Sequence, residues 1–323
     1  MRNRKAFTLI ELVTAVATLA LMIGFAGVIF QHVVKGYRTS QANAEIMQKY
    51  VAITQQLHND FTGLLADMPG RISWDDQEDT VLDPNTTNQV NLEDSRADSI
   101  IFFAAGDFQT TRAYDAGPGS DRIIRGNTAL INYCIADDTP EDPRRKVLVR
   151  RQLVLTADTQ LSGDPNVAET LDDLTGQGDV RYEALYSSLS DLAADPNAFA
   201  EDFNDLPARV EFNANEPQEI QNLLARGVYD FKIKYIGTDS STGFDYEWQQ
   251  GADGENLYFP GSIFNDIIAA SDQPRLSAIK FTFRICDSRG IIEQYDHVDE
   301  EVKPGRLFTY IVPIKDQLTG SID

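Results

Sequence analysis

Residues 7–30 read FTLIELVTAVATLALMIGFAGVIF, and the six residues before them read MRNRKA. Between Phe7 and Phe30 there is a single charged side chain, Glu11. As an α-helix rising ~1.5 Å per residue the stretch extends ~36 Å, more than the ~30 Å hydrocarbon core of a bilayer. Arg2, Arg4 and Lys5 precede it with no acid among them, which sets the leading end on the cytoplasmic side. A secretory signal peptide fits less well. The apolar run is long, and no small-x-small cleavage site follows it before the chain enters a helical pattern.

Glu11 is the anomaly of this span. A carboxylate at the middle of an apolar helix costs about 2.5–3.5 kcal/mol on insertion scales, and no cationic side chain lies between Phe7 and Phe30. A free α-amine at Phe7, produced by a cut after Ala6, is a suitable counter-charge. It serves equally from the same chain or from a neighbouring copy. The stretch Lys5-Ala6-Phe7-Thr8-Leu9-Ile10-Glu11-Leu12 resembles the prepilin peptidase site shared by type IV pilins and the pseudopilins of type II secretion. That resemblance implies cleavage between Ala6 and Phe7, N-methylation of Phe7, and a docking role for Glu11 when subunits assemble. Ala6 departs from the family pattern, where Gly is usual.

Beyond the span, apolar residues recur at helical spacing: Val33, Val34, Tyr37, Ala44, Met47, Val51, Thr54, Leu57, Phe61 and Leu64. The pattern stops at Met68-Pro69-Gly70, a terminator by composition. One helix is therefore expected from about Phe7 to Ala66, with this stripe against the rest of the protein. Gly24, Gly27 and Gly36 mark places for a bend.

After Gly70 the chain alternates β-like runs with acidic loops rich in Asp, Asn, Gly and Pro. Strands are expected at Ser99–Ala105, Ala129–Ala136, Lys146–Thr156, Ala208–Asn213, Val228–Ile236, Leu276–Cys286 and Arg306–Ile314. Short helices are expected at Tyr182–Ala193 and Pro217–Ala225. The segments Arg71–Arg96, Ala157–Gly178 and Gly237–Gly261 read as loops or insertions. The fold class is α+β: a long N-terminal helix packed on an antiparallel β-sheet head, the lollipop of pilins. The division is a leader at 1–6, a transmembrane half-helix at 7–30, an amphipathic half-helix at 31–68 and a head at 69–323.

The run Gly227–Tyr235, then Trp248, then Pro274–Phe283 and Phe308–Ile314 resembles the C-terminal half of the J-type minor pseudopilins of type II secretion. This implies a non-enzymatic subunit that initiates or caps a periplasmic pseudopilus. Its implied partners are the other minor and major pseudopilins, the prepilin peptidase and an inner-membrane assembly platform. The implied location is a bacterial inner membrane, crossed once, with the head in the periplasm. Two alternatives stand beside it. One is a minor type IV pilin for motility, adhesion or DNA uptake; the other is a signal-anchored periplasmic binding protein that never polymerises.

Composition narrows the chemistry. The chain has 28 Lys and Arg against 50 Asp and Glu, a formal net charge of -22. Nucleic-acid binding is excluded as the main function, because it needs clustered bases to displace counterions. Three scattered histidines, His32, His58 and His297, give no metal spacing, and no nucleophile or phosphate-loop motif occurs. No cofactor is expected except calcium, for which Asp115–Asp121 and Asp239–Asp245 offer closely spaced carboxylates about Gly turns. The carboxylates singled out are Asp115, Asp121, Asp239 and Asp245, with Asp253–Glu255 a third loop. Cys134 and Cys286, both in strand-like runs, are either a single disulfide or two buried thiols.

Overall fold

The computed structural model describes residues 9–65, 68–75, 80–82, 89–91, 96–115, 121–136, 144–157, 167–174, 182–186, 196–208, 222–239, 243–244, 247–259, 275–296 and 301–314. The first element is a single helix, α1 (Leu9–Thr62), of 54 residues and therefore ~81 Å long. It passes through Gly24, Gly27 and Gly36 without interruption. It ends before the Met-Pro-Gly terminator, because Gly63, Leu64 and Leu65 are drawn onto a strand. Ala105 N donates to Gly63 O at 2.6 Å and Leu65 N to Phe103 O at 3.0 Å. A Cβ at Gly63 would lie 2.1 Å from the Ala105 carbonyl oxygen, so only glycine permits this approach.

The head is built on two sheets. Its strands are β1 (Gly70–Ser73), β2 (Thr80–Leu82), β3 (Gln89–Asn91), β4 (Ser99–Asp115), β5 (Asp121–Ala136), β6 (Val147–Thr156), β7 (Val167–Ala168), β8 (Ala184–Tyr186), β9 (Leu223–Arg226), β10 (Val228–Asp239), β11 (Gly243–Phe244), β12 (Asn256–Phe259), β13 (Arg275–Ile285), β14 (Glu293–Asp296), β15 (Glu301–Pro304) and β16 (Arg306–Pro313), with a second helix α2 (Pro196–Asp205). The larger sheet has the order β12-β1-β4-β5-β6-β8-β7, and β9 also pairs with β6. The smaller has the order β11-β10-β13-β16. β14 and β15 form a hairpin, as do β2 and β3.

The antiparallel expectation holds for the smaller sheet and must be corrected for the larger. There β8 runs parallel to both β6 and β7, so the larger sheet is mixed. The outer edge of β6 is shared: its first residues pair with β9 and its last three with β8. Ala184–Tyr186 is thus a strand where a helix at Tyr182–Ala193 was expected, and the helix α2 begins later, at Pro196. Leu223–Arg226 is likewise a strand, not the end of a helix at Pro217–Ala225. The span Arg71–Arg96, read as a loop, contributes β1 and the β2–β3 hairpin. The strand expected at Ala208–Asn213 lies, beyond Ala208, outside the described residues.

Side-chain parity explains the layers. Ile100, Phe102 and Ala104 of β4 and Ala129, Ile131, Tyr133 and Ile135 of β5 project to one face, where they meet α1 and the smaller sheet in one core. Ile101, Phe103 and Leu130 project to the opposite face and are covered by α2 through Phe199 and Phe203. Arg71 fixes α2 in place. Its buried guanidinium donates to the last carbonyls of that helix, Phe203 O at 3.2 Å and Asn204 O at 2.6 Å, and to Leu206 O. A cation at a helix C-terminus satisfies orphan carbonyls and opposes the negative end of the helix dipole.

The two sheets are stitched together by Asp98, whose side chain is wholly buried. Its carboxylate accepts from Ile233 N at 2.7 Å, Asp75 N at 3.2 Å and Arg96 Nε at 3.1 Å. Burial pushes its pKa up to about 6, even though these donors pull the other way. Opposite it, β10 carries a bulge between Tyr229 and Lys232. Asp230 in that bulge sits at φ 54°, in the left-handed region that Asp tolerates better than most residues. Lys232 holds its carboxylate at 3.1 Å.

Candidate functional site: the stem helix and its seat in the head

From Leu9 to Val33 every residue of α1 is exposed, and the first buried one is Ala42. The protruding part, residues 9–41, is ~50 Å long at helical rise. It is long and apolar enough to cross a membrane, and the head buries none of its apolar stretch. Glu11 lies exposed in the first turns, its backbone carbonyl accepting from Thr14 Oγ1 at 3.0 Å. Ala6 and Phe7 lie outside the described residues.

The seated half of the helix corrects the expected stripe. The residues turned into the head are Ala42, Ile46, Ile53, Leu57, Asp60 and Phe61. Of the stripe read from the sequence, only its end, Leu57, Phe61 and Leu64, is buried. Val33, Tyr37, Met47 and Val51 are 61%, 69%, 44% and 53% exposed, and Ala44 is exposed too. At ~100° per residue Val33, Tyr37, Ala44, Met47 and Val51 fall within roughly 40° of one line, on the side away from Ala42 and Ile53. The helix is apolar on two faces. One is core, and the other continues the surface of the membrane-length segment along the outside of the head.

Two polar contacts fix where the helix leaves the head. Lys49 Nζ donates to the Cys286 carbonyl at 2.9 Å and pairs with Glu45 at 2.9 Å. Glu45 accepts from Ser288 N and Ser288 Oγ, each at 3.0 Å. Burial raises the Glu45 pKa, but Lys49 and Ser288 outweigh it and leave the carboxyl below its usual value. Asp287 shapes the receiving turn by accepting from Arg289 N, Ile291 N and Ile292 N at 3.0–3.1 Å.

The far end of the helix is held by a buried charge network. Arg150 grips Asp60 with Nε at 2.6 Å and Nη2 at 2.8 Å; Tyr133 OH donates to the same carboxylate, and Gln56 Nε2 does so at 3.1 Å. Burial lowers the Arg150 pKa, yet the Asp60 carboxylate more than compensates and leaves it raised. Tyr133 is pushed well above its ordinary value by burial and by Asp60. Sequence reading passed over Asp60. An acid beside Leu57, Phe61 and Leu64 was the available signal, since an acid within an apolar stripe needs a cation on the packed element.

The other expected site residues are only partly described. Asp115 and Asp121 face each other across the end of the β4–β5 hairpin, and residues 116–120 between them lie outside the described residues. Asp239 ends β10 opposite Gly243, and Asp245 also lies outside them. Among the described residues no group of three His, Cys, Asp or Glu side chains is placed to hold a metal ion. Of the cysteines, expected as either a disulfide or two buried thiols, both are buried, and the structure draws no bridge between them. They belong to different sheets, Cys134 packing with Ala136, Val147 and Val149 on β5 and β6, and Cys286 following β13. His32 and His58 are exposed on α1, and His297 lies outside the described residues. Comparison with models of known protein families, with curated protein sequences and with solved structures gave no match.

Proposed function

We propose that this chain is a filament subunit of the pilin class: a membrane-inserted precursor, cut between Ala6 and Phe7 and assembled through its stem helix. Within that class its role is that of a minor pseudopilin of type II secretion, initiating or capping a periplasmic filament. The observation that carries the reading is the mainly apolar surface of α1, exposed all round from Leu9 to Val33 with Glu11 as its one acid, and continued by Tyr37, Ala44, Met47 and Val51 along one outward line. A simple anchor has no need of apolar side chains once the helix has left the lipid. A stem that packs among other stems does, because burying each large apolar side chain is worth roughly 1.5–3 kcal/mol.

Glu11 gives the assembly its register. A carboxylate in an apolar span is stabilised by the amine of a trimmed chain end, and when that amine belongs to a neighbour the membrane penalty becomes an assembly contact. The head performs no chemistry in this reading. Mass spectrometry of the protein purified from its native membrane tests it. The expected species begins at Phe7 with a methylated amine. An intact Met1, or a cut after Phe30, would overturn the assignment in favour of an anchor or a secretory signal.

A further inference from the structure

Both tryptophans of the chain, Trp74 and Trp248, line one cleft. Tyr235, Gln249, Gln250, Glu255 and Asn256 are among its other walls, around an open volume of about 700 Å³. The cleft lies at the seam of the two sheets. Tyr235 pairs with Ile279, two residues along β13 from the Phe281 that meets Phe61, so the cleft is at the end of the head away from the exit of the stem at Cys286–Ser288.

The platform is held by the backbone. Tyr235 and Gln249 exchange N–H···O bonds of 3.0 and 2.9 Å, Trp74 N donates to Glu255 O at 3.0 Å, and Gly254 N donates to Trp74 O at 2.8 Å. Trp74 Nε1 is committed to Ile233 O at 2.9 Å. Gly251 lies flat on the Trp74 ring, where a Cβ would come within 2.1 Å of Cε3. Trp248 is half-buried, with the Lys280 ammonium 4.4 Å from its ring centroid, a cation–π contact that fixes the ring.

The chemistry of the lining selects a ligand. Three side-chain amides, each both donor and acceptor, match hydroxyl groups, and the side of the Trp248 indole that lines the cleft, away from Lys280, offers a flat apolar surface to the C–H face of a sugar ring. A cation would feel the Lys280 ammonium, which lies behind that indole and outside the lining; an anion would meet the Glu255 carboxylate in the wall and a chain of net charge -22. We infer that this cleft binds a neutral saccharide chain, with a pyranose ring stacked on Trp248 and its hydroxyls bonded by Gln249, Gln250 and Asn256. The inference is independent of the filament assignment.

Because the chain's only tryptophans line the cleft, intrinsic emission reads its occupancy directly. The full chain in a detergent without a sugar headgroup is titrated separately with cellotetraose, maltotetraose and chitotetraose. At least one is expected to give a saturable change in emission with a midpoint in the ~0.1–10 mM range. Trp248→Ala should abolish it and Gln250→Ala should raise the midpoint about tenfold, both with an unchanged far-ultraviolet circular dichroism spectrum. Trp248→Phe, which keeps a flat ring, should retain binding by calorimetry. Silence from all three sugars, or an undiminished response in both Trp248→Ala and Gln250→Ala, overturns the inference. So does a response to polyglutamate with none to the sugars.

Discussion

Arg150 on β6 closes on Asp60 of α1 with two hydrogen bonds of 2.6 and 2.8 Å, tying the last turn of the stem to the centre of the larger sheet. A fork of this kind is strong because both partners are charged and the geometry is two-point. Its stake lies in what remains when one half is removed. Asp60→Ala strands a guanidinium in the core and should lower head stability by about 3–5 kcal/mol in chemical denaturation. Tyr133→Phe removes only a donor and should cost about 1–2 kcal/mol. The double variant Asp60→Leu with Arg150→Met should recover most of the loss.

In the proposed filament the outward line of α1 separates assembly from folding. Met47→Glu and Val51→Lys place charges on a face the head does not cover, so the head should melt within about 0.5 kcal/mol of the parent protein. Incorporation into filaments, assayed by co-sedimentation or crosslinking with neighbouring subunits, should fall sharply. Leu57→Ala, on the inward face, should do the reverse: a loss of about 2–5 kcal/mol in the head.

For the proposed filament, Glu11→Ala should leave membrane insertion and head melting unchanged while removing incorporation. Glu11→Gln tests the charge itself, since it preserves size and hydrogen-bonding atoms. If Gln supports assembly as well as Glu, pairing with an amine is not the mechanism.

Asp98 makes stability depend on pH. Its folded pKa of about 6 lies above the ordinary value of 3.8, so Asp98 binds its proton more tightly in the folded state than in the unfolded one. The contribution is fully present below about pH 4 and is lost as pH rises through about 6, a change on the order of 3 kcal/mol. Denaturation from pH 4 to 7 should show this decline in the parent protein. In Asp98→Asn that part of the slope should vanish.

Arg71→Met should loosen α2 selectively. With its terminal carbonyls deprived of their cation, amide exchange in residues 196–206 should accelerate while the β4–β5 pairing stays protected.

The stem and most long strands were legible from sequence because each is a sustained periodic signal. Val228–Ile236 and Leu276–Cys286 appear within a few residues of where alternation put them. The face of the helix was not legible. Apolar residues occupy two of its sides, and only the place of Ile46 and Ile53 in the core shared with the smaller sheet decides which side is buried. The parallel β8 was invisible for a different reason. Three residues carry no period, and Ala184–Tyr186 becomes a strand only because β6 offers it an edge. Asp60 and Asp98 were missed because a buried acid is recognised by its partners, and Arg150, Tyr133 and Ile233 lie 73 to 135 positions away.

Since Ile46, Ile53, Leu57 and Phe61 are at once stem and core, α1 offers no break from Leu9 to Thr62 at which exposed rod and globule could part company. Tension applied at the buried end of the rod is delivered straight into the interior of the globule. A pull on the exposed rod therefore either moves the globule whole or unfolds it whole.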